Sequence, residues 1–290
     1  MRLPDLRSTV TVLALLSAST LAHSANVYAQ QPTTTPPASA PSTDAKLPTL
    51  PGQTSTTTAA EPPKVDPEEE AAYKAFTDTK PEDDDKRIQL GNAFVAKYPN
   101  SKYAAAVYSG LTQNEYDKQD VPKLEEDGDK ALALTPDDVS VLVLVGWVIP
   151  HAYNPDDPNA TKRLDKAEAY EKHALSLLPN LPKPANLTDE QFATIKSAAE
   201  SQAHSALGLI YFRKQNFEQA VTELKTATTT AKTPDPTDFY VLGVSQKALK
   251  SYTDSADSFT KCAAIPGGLQ TRCKDQADQV KKLATAAPAK

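Results

Sequence analysis

The chain has 290 residues, a formal net charge of −6, and 24 prolines against 9 glycines. That length admits one or two ordinary domains or one extended repeat domain. The acidic balance offers no basic stripe for displacing counterions from a nucleic acid, so no nucleic-acid partner is expected; it favours solubility and selects against acidic partners.

Residues 1–29 read as a secretory signal peptide. Arg2 and Arg7 give a positive start, Val10 to Ala22 is apolar or small, and Val27-Tyr28-Ala29 fits small-x-small cleavage before Gln30. The apolar run is shorter than the about 20 residues of a permanent span, so no stable membrane span is expected after cleavage. No cysteine follows it to carry a lipid. The expected localisation is exported, in the periplasm or cell envelope. Residues 30–65 are Pro, Thr, Ser and Ala with little apolar surface to bury, and read as a disordered linker.

Helix signals begin at Asp66-Pro67-Glu68-Glu69-Glu70, where Asp caps, Pro suits the first turn and the carboxylates face the positive helix end. From there to about residue 286, apolar residues recur at three and four, punctuated by Pro or Asn-Pro, and no stretch keeps a strand period for long. Val139 to Pro150, VSVLVLVGWVIP, is β-branched enough to suggest a buried strand. Register decides otherwise. Gly208 and Gly243, Phe217 and Tyr252, and Leu224 and Phe259 are each 35 positions apart. The clearest repeats are therefore 201–235 and 236–268.

This arrangement resembles the tetratricopeptide repeat (TPR). Leu207, Gly208, Tyr211, Ala220, Leu224, Ala227 and Pro234 match its pattern in one unit, and Phe239, Leu242, Gly243, Phe259 and Pro266 in the next, with Ser255 and Cys262 where the pattern prefers Ala. Upstream, Val145-Gly146, Ala167, Ala174 and Pro179 repeat the spacing around an insert of nine residues in HAYNPDDPNAT, and Ala131 and Pro136 begin it again. Register makes Val139 to Pro150 a first helix buried on both sides. Phe94 to Gly110 resembles the helix-turn-helix junction of bacterial envelope repeat proteins of the outer-membrane assembly lipoprotein type. The resemblance implies an all-α, TPR-like solenoid over 66–286. It would hold about eleven helices: a leading hairpin from Asp66 to Tyr98, four repeat hairpins to Ala264 and a closing helix from Leu269 whose outer face is polar.

No catalytic, cofactor or metal constellation is read from the residues. His151, His173 and His204 are not spaced with other ligands; His204 reads as packing and His173 as surface. EDDDK at Glu82 to Lys86 reads as a helix start. NPDDPN lacks the glycine and distal Glu of a calcium loop. Cys262 and Cys273 flank the turn-forming Pro266, Gly267 and Gly268 and are a disulfide candidate, with two unpaired thiols as the alternative.

The resemblance places a peptide-binding groove on the first helices of the hairpins. Counted from Val139, Ser201 and Pro236, its lining is Trp147 with Ser140 and Val143, then Gln202, Ser205, Leu209 and Phe212, then Thr237, Tyr240, Val244 and Lys247. The Lys and Asn that grip a C-terminal carboxylate in co-chaperone members are missing from these positions. The expected function is a non-enzymatic scaffold for an unidentified protein or peptide. The alternatives left open are an envelope spacer tethered by the Pro/Thr-rich tail, and a groove covered by the closing helix or the inserted turn.

Overall fold

The computed structural model describes residues 66–286; the expected signal peptide (1–29) and linker (30–65) lie outside the described residues. Eleven α-helices follow one another among the described residues: α1 Pro67–Asp78, α2 Asp84–Lys97, α3 Ala104–Lys118, α4 Val121–Leu134, α5 Val139–His151, α6 Ala160–Leu177, α7 Asp189–Arg213, α8 Phe217–Thr230, α9 Pro236–Ala248, α10 Tyr252–Ala264 and α11 Gln270–Ala286. Five antiparallel hairpins and a closing helix are packed in chain order, a TPR-like solenoid, and no strand occurs among the described residues.

Aspartate starts many of these helices. Asp66, Asp83, Asp120, Asp138 and Asp235 each accept a backbone N–H of the first turn, as the orphan donors of a helix start require. Three hairpin turns close through a residue at positive φ: Gln119, Gln215 and Lys250. Gln215 and Lys250 are 35 positions apart, so the backbone repeats even where the side chain does not.

Each clear repeat is held by a small residue under a large one. A Cβ at Gly208 would run into the Leu224 side chain, and one at Gly243 would lie 2.9 Å from the Phe259 ring. Ala220 and Ala227 flank Leu224 at 0 % exposure, so α7 and α8 approach closely. Helix α5 is the centre of the largest core cluster. Val139 to Pro150 are all buried because α4, α6 and α7 surround it, which explains an apolar sequence without a polar face. Phe76, Phe94, Val107 and Leu111 form a separate cluster joining α1, α2 and α3.

The helix carrying the first clear repeat starts earlier than the repeat register implies. Helix α7 begins at Asp189, not near Ser201, because Thr188 and Gln191 form a reciprocal capping box. The residues TDEQ carry that signal in the sequence. The nine-residue insert becomes the turn between α5 and α6.

Candidate functional site

The first helices of successive hairpins, α5, α7 and α9, lie side by side, and their inner face is the candidate site. It divides into a sealed part and an open part. In the sealed part, Trp147 is 3 % exposed, with its ring edge-on to Tyr116 and stacked on His151 at 3.8 Å. Val143, Gln202, Ser205 and Leu209 are buried as well. These positions follow the groove register, yet Trp147, Gln202 and Leu209 present almost no surface to a partner. They are interior residues, a correction to the expected lining. The inserted turn contributes to the seal: its Tyr153 packs against the main core and lies under the Arg213 guanidinium at 5.2 Å.

The buried polar groups of this part are matched unequally. The Ser205 hydroxyl donates to Asp238 at 2.6 Å, linking α7 to α9. Burial pushes the Asp238 carboxyl up to about 7, against the hydroxyl and with the added repulsion of Asp235. His151 Nδ1–H donates to the Trp147 carbonyl at 2.7 Å, and burial pulls its imidazole down to about 4, so it is neutral at physiological pH. The Gln202 Oε1 and Arg213 Nε atoms are buried with no hydrogen-bond partner.

The open part runs over the end of α7, α9 and α11. Phe212, Tyr240, Val244 and Lys247 are all partly exposed there. Tyr240 stands edge-on to Phe259 at 5.7 Å and packs between the main cluster and the C-terminal one, so its ring is held in a fixed direction. The closing helix reaches this face without covering it: Lys247 Nζ donates to Gln276 at 3.3 Å, and the Arg272 guanidinium lies 5.5 Å from the centre of the Tyr240 ring. Of the eleven expected lining residues, Phe212, Thr237, Tyr240, Val244 and Lys247 are partly exposed and the other six are buried. Arg272, which the repeat register does not single out, lies beside Tyr240.

The remaining sequence candidates fall outside the inner face. His173 meets Asp137 at 2.8 Å on the surface. His204 is not simply packed: its Nδ1 lies 2.6 Å from Glu223 on α8, so it ties the two helices of a hairpin. Asp83 caps α2, with Asp84 and Asp85 in the first turn, so the acidic run is a helix start. Asp157 of the inserted turn accepts from Arg163 at 3.0 Å and from the Asn159 N–H. Cys262 and Cys273 form a disulfide with Cα atoms 5.8 Å apart, joining α10 to α11. No helix among the described residues is long and apolar enough to cross a membrane.

No protein-family model matches the chain, and no curated protein matches it. Among solved structures, it is similar to a thermophilic TPR protein of Thermus thermophilus. The two are 15% identical with a TM-score of 0.44, and the alignment covers 73% of this chain and 98% of that one.

Proposed function

We propose that this chain is a non-enzymatic scaffold that holds a segment of another protein or a peptide on the open inner face of α7, α9 and α11. One observation carries the reading: the inner face is filled by the chain's own side chains as far as Leu209, and then leaves Phe212, Tyr240, Val244 and Lys247 partly exposed in adjoining first helices. Aromatic rings fixed by the core behind them offer large contact area with little ordering cost to a partner. A row of such residues along parallel helices suits an extended or helical peptide rather than a compact small molecule.

The scaffold works after export, in the periplasm or cell envelope. The signal-like segment supports this, as does the Cys262–Cys273 disulfide, which persists in an oxidising compartment.

Photo-crosslinking in intact cells tests the proposal. Probes replacing Phe212 and Tyr240 are compared with one replacing exposed Lys281. The expected result is one discrete adduct from the first two and none from the third. Equal or absent capture from all three would overturn the reading.

A further inference from the structure

We infer that Glu115 of α3 and Asp127 of α4 share one proton, a buried carboxyl–carboxylate clasp that closes this hairpin and opens when the proton leaves.

Both residues are 2 % exposed, and Glu115 Oε2 and Asp127 Oδ2 are buried with no donor supplied by the rest of the chain. The two side chains are nevertheless within hydrogen-bonding range of each other. Ionised carboxylates only accept, so a contact of this kind requires a proton on one of the pair. Lys130 Nζ donates to Asp127 Oδ1 at 2.9 Å, which places the negative charge on Asp127 and the proton on Glu115.

The other charges around the pair leave this assignment in place. Asp120, at the turn, and Lys123, in the first turn of α4, act on Glu115 with opposite signs and less strongly than Asp127 does. Lys130 also pairs with Glu126 and lies over the Tyr108 ring. From α2, Arg87 and Asp84 are bound to Asn114, and Asp85 to Lys118. From α6, Arg163 and Lys166 are taken up by Glu125 and Asp129. From α5, Val139 to Pro150 bring no charged side chain, and His151 at its end is held to the Trp147 carbonyl.

Loss of the proton leaves two like charges in a buried contact, and the hairpin relieves them by separating and admitting water. Glu115 has its pKa raised from an ordinary 4.5, so the clasp is complete below that value and is lost as pH rises through the folded one, about 8. The effect reaches the inner face. Tyr116, beside Glu115, is edge-on to Trp147, and a Cβ on Gly128, beside Asp127, would lie 2.5 Å from the Val145 side chain of α5. Opening of α3 from α4 therefore disturbs the sealed base on which the open part rests.

The test is amide hydrogen exchange of the full chain between about pH 6 and pH 9.5, with rates corrected for the base catalysis of exchange itself. Protection of α3 and α4 is expected to hold to about pH 8 and then to fall about tenfold per pH unit, the dependence of one released proton. Glu115→Gln offers Asp127 an amide N–H in place of the shared proton, and is expected to keep its protection across the range. No decline in the parent chain, or an equally steep one in the variant, would overturn the clasp. A carboxyl-carbon NMR titration of the parent chain reads the pair without any substitution. The Glu115 and Asp127 signals are expected to move together at each step, and two independent transitions would overturn the shared proton.

Discussion

Glu171 stands where the next two hairpins have Leu224 and Phe259, four residues after the first small residue of the second helix. Its side chain is fully buried and neither carboxyl oxygen has a partner. It lies against Gly146, where a Cβ would sit 2.5 Å from its Oε1. Burial alone holds its pKa well above the usual carboxylate range, so the group is kept neutral inside the α5–α6 hairpin. Glu171→Leu restores the residue type of the other hairpins and is expected to stabilise the chain by about 1–3 kcal/mol, measured by urea unfolding. Two more carboxyls behave alike: burial, with the like charge of Asp127, pushes Glu115 up to about 8, and burial pushes Asp238 up to about 7. A raised folded pKa means stability that is full below the unfolded value, near 4, and is lost as pH rises through the folded one. His151 acts oppositely: its pull down to about 4 contributes above pH 6.5 and is lost on acidification. The melting temperature is therefore expected to fall as pH rises from about 6.5, above the opposing contribution of His151, through the folded values of Asp238 and Glu115 near 7 and 8, and to fall less in Glu115→Gln. A flat profile in the parent chain would contradict the account. The alanines around Glu171 are legible from their spacing. The glutamate is not, because a Glu on an amphipathic helix ordinarily reads as solvated.

Helices are legible to the extent that local signals and tertiary contacts agree. Aspartate caps and the 35-residue register locate the hairpins, and register also assigns the apolar run of α5 to a helix against its β-branched composition. The start of α7 escapes the register because its additional turns lie outside the repeat unit, although Thr188 and Gln191 advertise it. The closing helix α11 depends on its neighbour. Cys273, Ala277 and Val280 are buried, and the disulfide ties α11 to α10 at Cys262. Reduction is expected to lower stability by about 2–4 kcal/mol, read from urea unfolding with and without reductant. Since Arg272 and Gln276 travel with α11, reduction should also loosen the open end of the inner face. Unchanged stability on reduction would show that packing alone holds the helix.

At the scale of the whole molecule, the solenoid is unequally finished along its length. From α3 to the middle of α7, the inner face is occupied by Tyr116, Trp147, His151, Gln202 and Leu209, and beyond Leu209 it is left open. Repeat register marks which positions face inward in each hairpin. It does not tell which of them the chain fills for itself. That depends on long-range events: the inserted turn delivering Tyr153 to Arg213, the stacking of Trp147 on His151, and the closing helix reaching Tyr240 and Lys247 through Arg272 and Gln276. The sealed part gives a rigid base, and the open part is where the next protein segment is expected to complete the packing.

The most direct measurement is amide hydrogen exchange on the full-length chain, alone and with the partner captured by the Phe212 and Tyr240 probes. The account predicts slowed exchange concentrated in the end of α7, in α9 and in α11, with α2 and α6 unchanged. Protection confined to α6 and α8, the second helices of their hairpins, would place the partner on the opposite face and contradict the assignment of the site.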